Sequence, residues 1–99
     1  MPNTLSRAEV YNLIDGERAY QDRRWGSDLA RNGIHEHSPQ EWLTYIVDYA
    51  NEALHTGART EDQFAHPLQM AIIRKIGGMA VAAMEQEGCP PREALQPKA

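Results

Sequence analysis

Residues 38–54 read SPQEWLTYIVDYANEAL, and this stretch decides the fold. Ser38 can cap a helix, Pro39 suits its first position, and Glu41 completes a capping box. Trp42, Tyr45, Ile46, Tyr49, Ala50 and Ala53 then recur at i, i+3, i+4, i+7, i+8 and i+11. That spacing lines one face of an amphipathic helix. A second apolar set, Leu43, Val47 and Leu54, runs beside the first. Gly57 is the expected stop.

Upstream, Ser6 and Glu9 form another capping box, and Val10, Leu13, Ile14 and Tyr20 follow with helical spacing. Gly26 and the mixed polar run Ser27–His37 are expected to break this first helix. Downstream, Thr60 with Gln63 can cap a short turn, and Pro67 is expected to open the third helix. The run from Ile72 to Met84 is IIRKIGGMAVAAM, apolar nearly all round after Lys75. Such a helix is buried on more than one side. Gly77, Gly78, Ala80, Ala82 and Ala83 let a second backbone come close. Glycine costs a helix about 1 kcal/mol relative to alanine, so the pair Gly77–Gly78 points to tight packing. Gly88 and Pro90–Pro91 end the helix. The expected fold is all-α, a small bundle of three main helices over residues 6–88, flanked by flexible tails at 1–5 and 89–99. Three helices make a thin monomer with apolar surface left over. A homo-oligomer, at least a dimer, is therefore expected to complete the bundle.

The chain has 99 residues, enough for one domain. Ten Lys+Arg stand against 14 Asp+Glu, a formal charge of −4. That balance argues against a DNA or RNA partner, which a basic excess normally serves. It leaves room for a small anion held by a few local cations. The single cysteine, Cys89, fits a reducing cytoplasm and has no neighbour that would make it a nucleophile. The opening MPNTLSRAEV has no apolar signal core and no 18-residue apolar run follows, so neither export nor a membrane partner is expected.

Three segments carry a resemblance. Glu17-Arg18-Ala19-Tyr20-Gln21-Asp22-Arg23-Arg24-Trp25-Gly26 resembles the ER-x-x-QD-x-x-WG opening of short MazG-like proteins, many encoded by bacteriophages. His37-Ser38-Pro39-Gln40-Glu41-Trp42-Leu43 is similar to the H-(S/T)-P-x-x-W-(L/V) segment that opens their second helix. Ile76-Gly77-Gly78-Met79-Ala80-Val81-Ala82-Ala83-Met84-Glu85 is similar to their small-residue helix VAA-x-AVA-x-x-E. The likeness spans roughly residues 9–87, in order. It implies an all-α scaffold of nucleoside triphosphate pyrophosphohydrolases. Active members bind Mg²⁺ through E-E-x-x-E on one helix and E-x-x-D on the next, where spacings of three and four bring carboxylates onto one face.

This chain departs from that pattern. The first motif falls on Asp48-Tyr49-Ala50-Asn51-Glu52, leaving two acids. The second falls on Ile72-Ile73-Arg74-Lys75, with no acid and with Lys75 in the place of the aspartate. Exchanging a carboxylate for an ammonium beside a dication changes the charge product by about four units. At ~4 Å and an effective dielectric of ~20 each unit is worth about 4 kcal/mol, so the exchange costs on the order of 10 kcal/mol even after discounting. A lysine–arginine pair attracts phosphates directly instead. The resemblance then implies a nucleotide-binding protein without catalytic residues, metal or cofactor, in a phage setting a sponge that sequesters a host immune signal in the cytoplasm.

The candidate ligand-binding residues are Arg74 and Lys75 for phosphate, Tyr49 or Trp25 for a base, with Tyr45 beside them, and Asp48, Glu52, Glu17, Gln21 and Arg24 for polar contacts. Each has a plainer reading. Arg74 and Lys75 can be solvated charges. Asp48 and Glu52 can pair with them across the bundle, a role favoured here because an unpaired buried lysine is costly. Trp42 is assigned to the core. His35-Glu36-His37 lacks a close third ligand, so zinc is not expected. Two other classes stay open: a Mg²⁺-dependent pyrophosphohydrolase with a reduced site on Asp48, Glu52 and Glu17, and a helical adaptor for another protein.

Overall fold

The computed structural model describes residues 4–32, 37–59 and 62–95. Among them the architecture is all-α, with no strand: α1 (Arg7–Asn32), α2 (Pro39–Arg59), α3 (Asp62–Glu87) and a 3-10 turn at Arg92–Leu95. No helix is long and apolar enough to cross a membrane. α3 is the centre. It packs against α1 on one side and α2 on the other, while the α1 and α2 backbones stay apart.

Local chemistry starts the first two helices as the sequence predicts. The Ser6 amide donates to Glu9 Oε1 at 2.8 Å and the Glu9 amide to Ser6 Oγ at 3.1 Å. The same reciprocal pair joins Ser38 and Glu41 at 2.9 and 3.1 Å. These hydrogen bonds hold the Glu9 carboxyl below its usual value of 4.5. The sign follows: the box supports folding above that value, and its support is lost as pH falls through the lower folded value. Ser38→Ala removes the cap acceptor of α2 and should cost about 1 kcal/mol. At fixed protein concentration, that lowers Tm by about 4–8 °C for a domain this size.

Three boundaries differ from the sequence reading. α1 runs through Gly26 to Asn32, because one glycine costs only about 1 kcal/mol and good helix formers, Leu29, Ala30 and Arg31, follow it. α2 runs through Gly57 to Arg59. That glycine makes room for Gln69 of α3, whose Nε2 donates to the Ala53 carbonyl at 3.0 Å. α3 begins at Asp62, so Pro67 lies inside it and removes one hydrogen bond near its start. The cap assigned to Thr60 lies outside the described residues. Gly88 does end α3: its φ is 75°, and its amide donates to the Met84 carbonyl at 2.8 Å. Of the expected tails, 92–95 form the 3-10 turn, and 1–3 and 96–99 lie outside the described residues.

The core is small. Trp42, Met79 and Ala82 are buried together, with Trp25, Ile46, Tyr49 and Ala83 half-buried against them. Trp42 sits in the core, as its spacing predicts, and its Nε1 donates to Gln86 Oε1 at 2.8 Å. Of the apolar stripe on α1, only Ile14 is half-buried, and Val10, Leu13 and Tyr20 are exposed. Arg18 ties α1 to α3, donating to Glu85 at 2.5 Å and to Asp22 at 2.6 Å. Burial works against the Arg18 charge, but these two acids outweigh it and hold its pKa above the ordinary value.

Candidate functional site

Lys75 lies on the strip of α3 between the lines where α1 and α2 pack. At 100° per residue it falls between Gly78, which meets α1, and Met79, which meets α2. Its ammonium sits over the Tyr49 ring of α2, 4.4 Å from the centroid. Such a cation–π contact holds a charge beside an apolar wall. The Lys75 carbonyl accepts from Gln21 Nε2 of α1 at 3.1 Å. Arg74, one residue earlier, points toward α1, and its Nε donates to Glu17 Oε1 at 2.9 Å. Only one of its five N–H groups is used there, so the terminal fork stays available. The Arg74 side chain is 48% exposed and that of Glu17 only 9%.

Two recesses flank the Lys75–Tyr49 contact, with Lys75 in the wall of one and Tyr49 in the wall of the other. One is a groove of about 360 Å³ lined by Glu17, Tyr20, Ala71, Ile72, Arg74 and Lys75. It falls at the low end of small-molecule sites, roughly 300–1,000 Å³. The other is an aromatic pocket of about 230 Å³ lined by Trp25, His37, Trp42, Tyr45, Tyr49 and Met79. His37 stands edge-on to Trp42 and to Tyr45, both centroids 5.1 Å away, and Trp25 meets Trp42 at 6.3 Å. Positions 42, 45 and 49 share a helix face, which is why one helix supplies three walls of the pocket.

The structure thus brings together Arg74, Lys75, Tyr49, Trp25 and Glu17. Gln21 joins them as a positioning group: it is 2% exposed, between Lys75 and Gly78. Among the described residues its Oε1 has no hydrogen-bond partner. Arg24 does not join them. It is exposed and lines neither recess.

The acids also differ from expectation. Asp48 and Glu52 are exposed, and among the described residues neither makes an ion pair. Arg74 takes Glu17 instead, and Lys75 takes the Tyr49 ring. The cause is helix phase: 48 and 52 lie past Tyr45 on the outer side of α2, turned away from α3. Among the described residues no three His, Cys, Asp or Glu side chains gather as a metal site would require. His35 and Glu36 lie outside the described residues, His55 and His66 are exposed, and Cys89 is an exposed free thiol. Sequence reasoning missed His37, Met79 and Tyr20 as lining groups. Only the H-x-P-x-x-W spacing hinted at His37, by placing it one residue before a cap.

The chain matches no protein family, no curated protein and no solved structure.

Proposed function

We propose that this chain is a MazG-like, homo-oligomeric protein that binds a nucleotide without hydrolysing it. The observation that carries the reading is the place of Lys75. Its side chain lines a groove walled by two basic side chains, and its ammonium touches Tyr49, which lines a pocket walled by aromatic rings. That is the layout a phosphate and a planar base require. Charge-assisted hydrogen bonds from Arg74 and Lys75 meet the phosphate. Stacking in the aromatic pocket, worth about 1–3 kcal/mol per base, holds the other end. A net charge of −4 repels anions at long range, so affinity rests on these local cations. The scattered acids favour binding over hydrolysis, because a Mg²⁺ pair needs convergent carboxylates. The likeness of the three motifs to phage-encoded proteins extends the proposal to sequestration of a nucleotide signal in a host cytoplasm.

Both tryptophans of the chain line the aromatic pocket, so intrinsic fluorescence reads its occupancy directly. Titration with nucleoside mono-, di- and triphosphates should quench it saturably. Tyr49→Ala should weaken binding by a factor of about 5–150, the equivalent of one stacking contact. Steady pyrophosphate release from a triphosphate, abolished by Asp48→Ala, would make the protein an enzyme instead. No response to any nucleotide would favour the adaptor reading.

A further inference from the structure

The total accessible surface of this chain is large for a lone molecule. It exposes 8071 Å², against about 5,700 Å² for a typical monomer of its mass, an excess of roughly 2,400 Å². Its radius of gyration is 16.1 Å, against about 13 Å for a compact chain of 100 residues. The excess is of the size each partner hides in a permanent oligomer, whose interfaces run about 2,000–5,000 Å² in total.

The exposed apolar side chains form two complementary shapes. Leu43, Val47 and Leu54 make a ridge along α2, on the side about 160° away from Tyr45 and Tyr49. Between α1 and α3 lies a groove of about 470 Å³, walled by Val10, Leu13, Ile14, Pro67, Met70 and Ile73. It is deep because Gly77 lets Ile14 reach the α3 backbone, where a Cβ on that glycine would stand 3.4 Å from Ile14. The three ridge side chains are all apolar, and the groove wall is mostly apolar, with His66 and Arg74 as its polar members; Arg74 also lines the nucleotide groove.

We infer that the groove between α1 and α3 receives the Leu43–Val47–Leu54 ridge of a second copy of this chain. The inference rests on the oligomer in the functional reading and names the surface that builds it. A ridge and a groove on one chain complement each other, and two copies that exchange them reciprocally form a closed two-fold dimer. The partner ridge then ends beside Arg74, and the nucleotide groove gains a wall.

Two measurements test this. The native mass of the whole protein should be a multiple of the 11.2 kDa chain, and Val47→Glu should reduce it to one chain. A paired variant, Leu13→Cys with Val47→Cys in a Cys89→Ser background, should form intermolecular disulfides on mild oxidation. Among the described residues no Cα of α1 comes within 8 Å of one of α2, beyond the reach of a disulfide, so a bond between these positions reports two copies. A wild-type mass of 11.2 kDa overturns the inference together with the oligomer in the functional reading. An oligomeric wild type without the disulfide overturns only the surface assigned here. Nucleotide quenching, measured separately, is a third and independent result.

Discussion

Replacing Trp42 by alanine should remove about 3–5 kcal/mol of stability, the cost of truncating a large buried aromatic side chain. Domains of this size hold about 5–15 kcal/mol in all, so the variant approaches the point of unfolding. Trp42 is 7% exposed and touches both other buried members of the main cluster, Met79 and Ala82. Among the described residues few other large apolar side chains are buried at all, so nothing nearby can close over the space it leaves. Its removal also takes away the indole N–H that now donates to Gln86 Oε1. Trp42→Phe separates the two contributions, since it keeps most of the contact and loses the hydrogen bond, a loss of about 0.5–1.5 kcal/mol. Urea unfolding at one protein concentration reads both. A loss below about 1 kcal/mol for the alanine variant would mean that the cluster is not the core.

Gly78→Ala should destabilise by about 1–3 kcal/mol, the usual cost of overpacking, although alanine is the better helix former. A Cβ there would lie 2.8 Å from both Gln21 amide atoms and 2.9 Å from Glu17 Cγ. Gln21 is buried and donates to the Lys75 carbonyl, so it cannot swing aside without giving up that bond. The displaced groups are those that position Lys75 and Arg74, so nucleotide quenching should weaken with stability. Two neighbours supply controls. Gly77→Ala meets Ile14 only at 3.4 Å and should be near neutral, and Gly16→Ala meets nothing within 4 Å and should stabilise α1 by about 1 kcal/mol. The order Gly16→Ala, Gly77→Ala, Gly78→Ala in falling Tm checks the packing of α1 on α3. A Gly78→Ala variant as stable as wild type would contradict it.

Local chemistry was legible in the sequence. Ser38, Pro39 and Glu41 announced α2 because a cap needs only residues three apart, and Gly88 marked the end of α3 because its positive φ favours glycine. Gly26, Gly57 and Pro67 misled for one reason. Each was read as punctuation, and each lies inside a helix whose other residues outweigh its cost. The glycines at 77 and 78 point to a second backbone coming close, whereas the groups that meet them are side chains of α1, Ile14 at Gly77 and Gln21 and Glu17 at Gly78. In the site, Tyr49, Trp25, Arg74 and Lys75 were named from their positions in the motifs. The pairing of Arg74 was not, because which acid faces a cation across a bundle depends on the rotation of each helix about its axis. A rotation that brings Tyr49 under Lys75 turns Asp48 and Glu52 to solvent, and no spacing within one helix reveals it.

The central claim is that Arg74 and Lys75 meet the phosphate of a bound nucleotide without a metal. Thermal denaturation with a panel of nucleotides, each with and without EDTA, tests it most directly. A rise in Tm that EDTA leaves unchanged and Lys75→Ala abolishes is the predicted result. A rise that appears only with Mg²⁺, or that survives in Lys75→Ala, would contradict it.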